Sequence, residues 1–319
     1  MQHALNGIDN ELLDAISNSP FSYIDYEGLL ISAPHRIREE ENHVQLKEEP
    51  LAVPDELEVR NISIPSSDKN RNIGLRIYRP KGQHNLPVYV FFHGGAFIYG
   101  TAAQYDFMCF KLAIEVGMLI VSVDYRLAPE HPFPAGMLDG YDVLLWLSQY
   151  ADQIGGNKNN MMIGGSSAGA CIAASVTLWA RDRSEVQIKH QYLLYPPMSH
   201  LLNTNSMQVL AEAPMQTQAA AAWMWRHYLG DKITIPPPYA VPLLADTLDN
   251  LPDCTMVVCE FDPLKDEAIL YAERLKKHNV LVNLLEVRGA VHAFDFFNCR
   301  LSDTFYKQQV QLFKNILSQ

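Results

Sequence analysis

The chain has 319 residues, of which 48% are hydrophobic and 19% charged, and this composition is ordinary for a globular protein and argues against disorder. The formal net charge of −11 disfavours nucleic-acid and anionic-membrane partners, because those surfaces attract Lys and Arg rather than carboxylates. The five cysteines have irregular spacing without paired CxxC units, which supports neither a zinc site nor a disulfide framework, so we expect reduced thiols and a cytoplasmic location.

The first 50 residues predict a helical segment set apart from the core. Helix-like periodicity in "ELLDAI" and "YEGLLISA" gives way to a polar, Glu-rich stretch. No Lys or Arg precedes Arg36, so we do not expect a secretory signal. The stretch from "LEVRNISIP" to "IGLRIYRP" alternates about a polar tip, "SSDKNRN", and predicts an antiparallel hairpin.

The remainder of the chain alternates between short apolar runs and helical patterns. The runs "PVYVFF", "MLIVSVDY", "NMMIGG", "QYLLYPP", "TMVVCEF" and "VLVNLLEV" predict strands, with helices such as "DGYDVLLWLSQY" and "DEAILYAERLKKH" between them. This alternation is typical of an α/β fold with a mostly parallel central sheet and helices on both faces. The interval from His200 to about Asp231 is helical in composition and has no strand, which indicates an insertion. We therefore predict a main domain of residues 51–199 and 232–319, with separate helical segments at 1–50 and 200–231.

The stretch "IGGSSAGA", residues 163–170, predicts a sharp turn between a strand and a helix. The strand is expected to end at Ile163 and the helix to start near Ala168, so glycines are needed where a Cβ would collide with a neighbour. The central residue of G-x-S-x-G is Ser167, which we predict on a strained elbow at a helix N-terminus. Alone the match is weak, since a tight turn of this kind is also found with a purely structural role.

A second glycine loop, in "PVYVFFHGGAFIYG", also follows an apolar strand. Its backbone N–H groups at Gly95 and Ala96, with Gly94 close by, are predicted to form an oxyanion hole together with the N–H of Ala168. Two such loops at two strand ends are much more specific than one.

A serine nucleophile needs a histidine base that a carboxylate orients. "MVVCEFDPLKDE" places Asp262 just past a strand, and "LLEVRGAVHAF" places His292 a few residues past the next one. Glu260, Asp266 and Glu267 are rival acids, but the first is expected in the strand and the other two in the first turn of a helix.

These segments resemble the hormone-sensitive-lipase-like branch of the α/β-hydrolase esterases, the bacterial family IV carboxylesterases. "VSVDYRLAPEHPFPA" is close to a signature of that family, and "HGGAF", "GSSAGA", "DPLKDE" and "VHAF" match its other segments. The resemblance extends from about residue 55 to the end, and it implies an α/β-hydrolase fold with a helical cap formed by residues 1–50 and 200–231. It also implies Ser167 as nucleophile, His292 as general base and acid, Asp262 as its partner, and an oxyanion hole at Gly94, Gly95, Ala96 and Ala168.

The chain departs from the family pattern at a few positions. Ala96 and Ala170 replace glycines but keep their N–H groups, and Ser166 stands where one subgroup has an acidic residue. Tyr125 and Arg126 in the "DYRLAPEHP" loop are interpreted as structural, as is Glu130.

The resemblance implies a carboxylic ester hydrolase that acts on short- to medium-chain esters through an acyl-enzyme, without a metal or cofactor. An amidase or aryl-amide deacetylase with the same triad and a non-catalytic small-ligand receptor on the same scaffold remain alternatives. We expect no nucleic-acid partner and no stable membrane association, while a homo-oligomer stays open. Four aromatic side chains are candidates for an apolar pocket under the cap, although core packing explains them equally well: Phe97, Trp223, Trp225 and Tyr228.

Overall fold

A computed structural model describes residues 5–68 and 71–318 of the chain. Its centre is a sheet of eight strands in the order β1-β2-β4-β3-β5-β6-β7-β8. The strands are β1 Leu57–Pro65, β2 Asn72–Pro80, β3 Leu86–Phe92, β4 Leu119–Asp124, β5 Gly156–Ser166, β6 His190–Leu194, β7 Asp253–Phe261 and β8 Val282–Val291.

The sheet is parallel from β4 to β8 and antiparallel at the edge made by β1 and β2. The predicted hairpin is confirmed, since Leu57 pairs with Pro80 and Pro65 with Asn72. Two residues of its predicted tip, 69 and 70, lie outside the described residues. Parallel strands end at one edge of the sheet, so the loops after β3, β5, β7 and β8 meet there.

Ten helices accompany the sheet in the described part of the chain. They are α1 Asn10–Ser17, α2 Tyr26–Ser32, α3 His35–Gln45, α4 Asp106–Leu112, α5 Ala135–Tyr150, α6 Ala168–Arg183, α7 Asn205–Val209, α8 Gln218–Leu229, α9 Lys265–Lys277 and α10 Arg300–Leu317.

The central strands are apolar on both faces because helices cover both. Along β3, Val88, Val90 and Phe92 pack in one core cluster with α5, α6 and α9. The alternate residues Tyr89 and Phe91 pack in a second cluster with α1, α4 and α10. Successive strand residues point to opposite faces, so continuous apolar runs in the sequence correspond to strands buried on both sides.

The predicted end of β5 is wrong. The strand expected to end at Ile163 continues to Ser166, with Gly164 paired to Tyr192 and Gly165 to Leu193 of β6. Glycine normally weakens a strand, which is why the sequence suggested an early end. Here the neighbouring backbone approaches too closely for a side chain, and glycine is what allows the ladder to continue.

None of the helices within the described residues has the length and apolar character needed to cross a membrane. The five cysteines are all buried as free thiols.

Candidate active site

Ser167 lies at the junction between β5 and α6, in a backbone conformation that residues with a side chain rarely adopt. Its φ is 52° and its ψ is −122°. Such a conformation persists only where the surrounding structure fixes it, and it is a frequent feature of functional sites. The N–H of Ser167 donates to the carbonyl of Leu194 at 2.9 Å, which ties the elbow to the end of β6.

Close backbone packing around the elbow explains the glycines of the serine turn. A Cβ at Gly165 would lie 2.6 Å from the carbonyl oxygen of Phe92, and one at Gly169 would overlap the carbonyl oxygens of Phe92 and His93. Atoms that close cannot be accommodated without moving β3. The turn and the end of β3 are therefore held in one fixed relation.

The side chains of Ser167, His292 and Asp262 form one hydrogen-bonded line. His292 Nε2 is 2.8 Å from Ser167 Oγ, and His292 Nδ1 is 2.6 Å from Asp262 Oδ2. A carboxylate can only accept, so Nδ1 carries the hydrogen and the serine hydroxyl donates to Nε2. All three residues are buried, with exposures of 7% for Ser167, 5% for His292 and 1% for Asp262.

The loops that carry His292 and Asp262 follow strand ends, as the sequence predicted. Asp262 comes directly after β7, and its Oδ1 accepts the N–H of Leu264 at 2.9 Å. His292 comes directly after β8, which extends four residues beyond the predicted run and ends at Val291. The extra length follows an irregularity in the pairing of β7 with β8 and a positive φ of 74° at Gly289.

The rival acids have other partners. Glu260 lies in β7 and accepts the N–H of Gly289 at 2.8 Å, while Asp266 accepts the N–H of Ser206 at 2.8 Å. Glu267 is buried and accepts the N–H groups of Met198 and Ser199, and its burial raises the pKa of the carboxyl to about 8. These three carboxyls hold backbone segments around the site.

The glycine loop after β3 lies beside the elbow. A Cβ placed on Gly94 would be 3.6 Å from the Cβ of Ser167. The N–H of Gly94 donates to the hydroxyl of Tyr105 at 3.3 Å, so it is already occupied. Within the described residues no acceptor bonds the N–H groups of Gly95, Ala96 and Ala168. The φ angles of 113° at Gly95 and 52° at Ala96 turn the loop back on itself.

The "DYRLAPEHP" loop packs against His93, at the start of the glycine loop. The hydroxyl of Tyr125 donates to the carbonyl of His93 at 2.8 Å, and the His93 ring stacks on the Tyr125 ring at 4.3 Å. Burial lowers the pKa of His93, which keeps that ring neutral. Arg126 forms a bidentate ion pair with the fully buried Asp139. The structural interpretation of Tyr125 and Arg126 agrees with these contacts.

Two parts of the chain meet above the site. Helix α2 packs against both α3 and α8, and His227 Nε2 donates to the carbonyl of Leu30 at 2.7 Å. From α3, Arg38 Nε donates to the carbonyl of Ile98 at 2.7 Å, and its Nη2 donates to the carbonyl of Ala128 at 3.1 Å and to Glu130 at 2.6 Å. Ile98 belongs to the loop that begins with the free N–H groups, so α3 is bonded directly to that loop.

The four aromatic candidates separate into two groups. Phe97 stacks on Tyr228 with 3.8 Å between ring centroids and lies 5.7 Å from Trp225, and all three side chains are at most 3% exposed. Trp223 faces the other way on α8, where it packs near Ile98 and under the guanidinium of Arg226. Phe97 directly follows Ala96, and Trp223 packs in one cluster with Ala96 and Ile98, so both groups border the loop after β3.

Sequence reasoning missed three residues with a clear part in this geometry. They are Arg38, Tyr195 and Asp295. Arg38 bonds a carbonyl 60 residues away along the chain, and Tyr195 bonds Asp295 across 100 residues, next to His292. Nothing local to Arg38 separates it from a surface arginine. For Asp295, the available signal was a charged residue among apolar neighbours in "VHAFDFF". In residues 5–68 and 71–318 no group of His, Cys, Asp or Glu has the arrangement of a metal site.

Comparisons with known proteins identify the family to which the chain belongs. A profile of the alpha/beta hydrolase fold matches residues 89–296. Esterase LipI of Mycobacterium tuberculosis is 34% identical over 241 residues, which are 74% of this chain and 75% of that protein. Carboxylesterase NlhH of the same species is 32% identical over 293 residues, or 90% of this chain and 88% of that protein. The chain belongs to the α/β-hydrolase fold family, in its hormone-sensitive-lipase-like branch.

Solved structures confirm the predicted fold class. The structure titled Bacterial Heroin Esterase superposes with a TM-score of 0.90 at 29% identity, covering 98% of this chain and 99% of that one. An esterase from Pyrobaculum calidifontis superposes with a TM-score of 0.80 at 32% identity, covering 91% and 97%. The similarity therefore includes the helices above the sheet as well as the sheet itself.

Proposed function

We propose that this chain hydrolyses short- to medium-chain carboxylic esters through an acyl-enzyme formed on Ser167. Its class as a serine carboxylesterase rests on the family and on relatives that are themselves named esterases. The observation that carries the mechanism is the continuous line from Ser167 through His292 to Asp262, with contacts of 2.8 and 2.6 Å. This is the geometry that a hydroxyl needs to act as a nucleophile at neutral pH.

In the first half of the reaction, Ser167 Oγ attacks the ester carbonyl carbon while His292 Nε2 takes the hydroxyl proton. Asp262 holds the ring in the required tautomer and stabilises the imidazolium that forms. The carbonyl electron pair moves onto oxygen, where the N–H groups of Gly95, Ala96 and Ala168 donate to it. Each such donor is worth about 3 kcal/mol in the transition state. Gly94 contributes by shaping the loop, since Tyr105 occupies its N–H.

The tetrahedral intermediate then collapses. The bond to the alcohol oxygen breaks, and His292 gives its proton to the departing alcohol. Water enters, His292 accepts one of its protons, and the hydroxide attacks the acyl carbon. The second intermediate expels Ser167 Oγ, which recovers its proton from His292, and the carboxylic acid leaves. Every proton in the cycle passes through Nε2.

The surroundings of the triad support a small apolar substrate. We propose that Phe97, Trp225 and Tyr228 form one wall of the substrate pocket, and that residues 1–50 and 200–231 form the cap above it. Trp223 packs in the small apolar cluster that also contains Ala96 and Ile98, so we propose that it holds α8 against the loop after β3. Acyl groups much longer than this wall would have to displace buried aromatic rings, which favours short chains. A cytoplasmic enzyme without a metal or cofactor is part of the same proposal.

The experiment that tests the proposal replaces Ser167 by Ala. Turnover of nitrophenyl butyrate should fall by about a millionfold, because the nucleophile acts as a unit with its base. Ser148→Ala is the matched control, since that hydroxyl bonds only the carbonyl of Leu145 within α5. The control should retain full activity, and thermal unfolding of both variants should match the parent. Substantial turnover by the Ser167 variant would disprove the assignment.

The same assay separates esters from amides. We expect the rate on nitrophenyl butyrate to exceed that on the matched amide, butyryl nitroanilide. Rates on the acetate, butyrate and hexanoate esters of nitrophenol should exceed the rate on the dodecanoate ester. Faster turnover of the anilide would replace the esterase proposal with an amidase. Activity should also fall at acidic pH, because a protonated His292 cannot accept the serine proton.

A further inference from the structure

A buried chain of hydrogen bonds runs behind the triad, and the mechanism above does not use it. The hydroxyl of Ser166 donates to the hydroxyl of Tyr195 at 2.6 Å, and the hydroxyl of Tyr195 donates to Asp295 Oδ1 at 2.6 Å. The three side chains are at most 2% exposed. We call Ser166, Tyr195 and Asp295 the rear network.

The two ends of the rear network lie close in sequence to Ser167 and His292, the two residues between which the proton is proposed to move. Ser166 directly precedes the nucleophile on β5, and Asp295 lies in a short 3₁₀ turn three residues after His292. The Tyr195 ring also meets the imidazole of His292 edge to face, with 4.8 Å between ring centroids. One side chain therefore contacts the elbow, the histidine and the turn that follows it.

Bonds to the backbone fix the centre and one end of the rear network. The N–H of Tyr195 donates to the carbonyl of Val257 at 2.7 Å, which holds the residue between β6 and β7. The hydroxyl of Tyr306 on α10 donates to the backbone carbonyl of Asp295 at 2.7 Å. The network cannot relax independently of the sheet and the last helix.

A carboxyl in this position is costly. Asp295 Oδ2 has no hydrogen-bond partner among the described residues, and burial raises the pKa of the carboxyl to about 6. The bond from Tyr195 and the proximity of His292 act in the opposite direction. Burial of a half-satisfied carboxyl is unfavourable compared with a well-packed apolar residue. Natural sequences accept such a cost mainly where the group serves the site.

We infer that Asp295 is a positioning residue which, through Tyr195 and Ser166, holds His292 in register with Ser167 during ester hydrolysis. The inference rests on the proposed function. The bond between Ser167 Oγ and His292 Nε2 is 2.8 Å long and lies between the two ends of the rear network. A displacement of about 1 Å at either end would remove near-attack geometry and reduce the rate by up to a hundredfold.

The charge of Asp295 adds a second effect. The carboxyl of Asp295 lies near the imidazole of His292, on which positive charge develops. When this carboxyl is ionised, it stabilises the imidazolium together with Asp262. Within the described residues, the titratable groups that face Asp295 from the elements packed against it are Cys259 of β7, Tyr192 of β6, Tyr195 after β6, Tyr105 before α4, Tyr306 of α10 and His292. Burial raises the pKa of each of these tyrosines and of Cys259, so they stay neutral beside Asp295.

The first test is Asp295→Asn, which retains the size of the side chain and an acceptor for Tyr195. We expect kcat for nitrophenyl butyrate to fall about tenfold with KM changed by less than about twofold, because the register matters most in the transition state. The acidic limb of the kcat/KM profile should move to lower pH, since one negative charge near the imidazole is gone. A role in packing alone would not move that limb.

The second test is a double-mutant cycle that does not depend on changing the charge. Ser166→Ala and Tyr195→Phe each remove the bond between the two hydroxyls. The double variant should therefore lose little more kcat than the single variant with the lower kcat. Tyr192→Phe is the matched control, because it deletes a buried hydroxyl from β6, three residues before Tyr195 and outside the rear network. We expect the control to keep the parent kcat.

The outcomes separate this inference from the proposed function. If Ser167→Ala abolishes turnover while Asp295→Asn and Tyr195→Phe keep the parent kcat and pH profile, the inference is wrong and the esterase proposal stands. If Ser167→Ala leaves turnover intact, both fail. Should Asp295→Asn not fold, the cycle at Ser166 and Tyr195 decides, and additive losses in it would overturn the inference.

Discussion

The sheet and the cap helices hold their functional groups in different ways. At the sheet edge, the elbow and the glycine loop after β3 are fixed by backbone in contact with backbone, as at Gly165 and Gly169 against the end of β3. In the cap, helices α2 and α3 contact the rest of the molecule through a small apolar cluster and a few bonds from side chains to carbonyl groups, whereas α8 also packs in a large core cluster through Trp225 and Tyr228. The sheet edge should therefore tolerate almost no change in shape, whereas the cap should lose function before it loses its fold.

The difference follows from where the free energy lies. Two large apolar clusters cover the faces of the sheet, while the cluster around Leu30, Ile37, Ile98 and Ala128 has only four buried members. Regions with few buried apolar contacts open more easily than core strands. We therefore expect the cap helices α2 and α3 to open more easily than the sheet.

The largest effect is expected at the elbow, from Gly169→Ala. The new methyl group would overlap the carbonyl oxygens of Phe92 and His93, which belong to a central strand and the loop after it. We expect a loss of at least about 3 kcal/mol in the free energy of unfolding, or no soluble protein, because neither carbonyl can move without breaking the sheet. Urea unfolding followed by circular dichroism measures the change.

Gly82→Ala is the control for the elbow variant. It has a positive φ of 72° but nothing within 4 Å of the added carbon, so only the backbone conformation is penalised, by about 1 kcal/mol. Equal losses at the two glycines would show that close packing at the elbow is not what holds it.

How much of the site the sequence predicts depends on the distance between the residues involved. Ser167, Asp262 and His292 each sit at the end of an apolar run within a short motif, so the parallel sheet brought them together without further information. Arg38 and Asp295 act through contacts with residues 60 to 100 positions away, and their local sequences resemble many others. Topology predicts which loops meet, whereas side-chain contacts between distant segments require coordinates.

The wrong end of β5 has a similar cause. Glycines after Ile163 indicated the end of a strand because glycine is a poor strand former. The close approach of β6 and α6 at that point is a property of the packed molecule, and it makes glycine the residue that the strand needs.

An intermediate effect is expected in the cap, from Arg38→Gln. Gln cannot reach the carbonyls of Ile98 and Ala128 while also pairing with Glu130, so the loop that carries the N–H groups of Gly95 and Ala96 loses its support. We expect kcat for nitrophenyl butyrate to fall about tenfold, with a small change in the unfolding temperature. Steady-state kinetics and thermal unfolding of the same preparation measure both quantities.

Arg36→Gln is the matched control on the same helix. Its guanidinium pairs only with Glu40, 3.0 Å away on the exposed face, and exposed pairs of this kind contribute little. Both quantities should stay at parent values in this variant. A parent-like kcat in Arg38→Gln, accompanied by a lower unfolding temperature, would make the cap a purely structural region and weaken the contrast with the sheet.

The smallest effect concerns the pH dependence of stability in the cap. Glu41 on α3 is 6% exposed and accepts the hydroxyl of Tyr26 at 3.0 Å, and burial raises the pKa of its carboxyl to about 7. The unfolded chain binds the proton less tightly than the folded chain, so the stabilisation is complete at low pH and declines as pH rises through about 7.

Between pH 6 and 8 the contribution of Glu41 should fall by about 1 kcal/mol. Glu41→Gln should therefore lose less stability than the parent over this interval. Glu267 in the main domain, whose pKa burial raises to about 8, contributes equally to both proteins, so their difference isolates the cap. Hydrogen exchange at α3 should record the decline before it reaches the sheet, and a parallel decline in both proteins would show that Glu41 does not titrate in the folded cap.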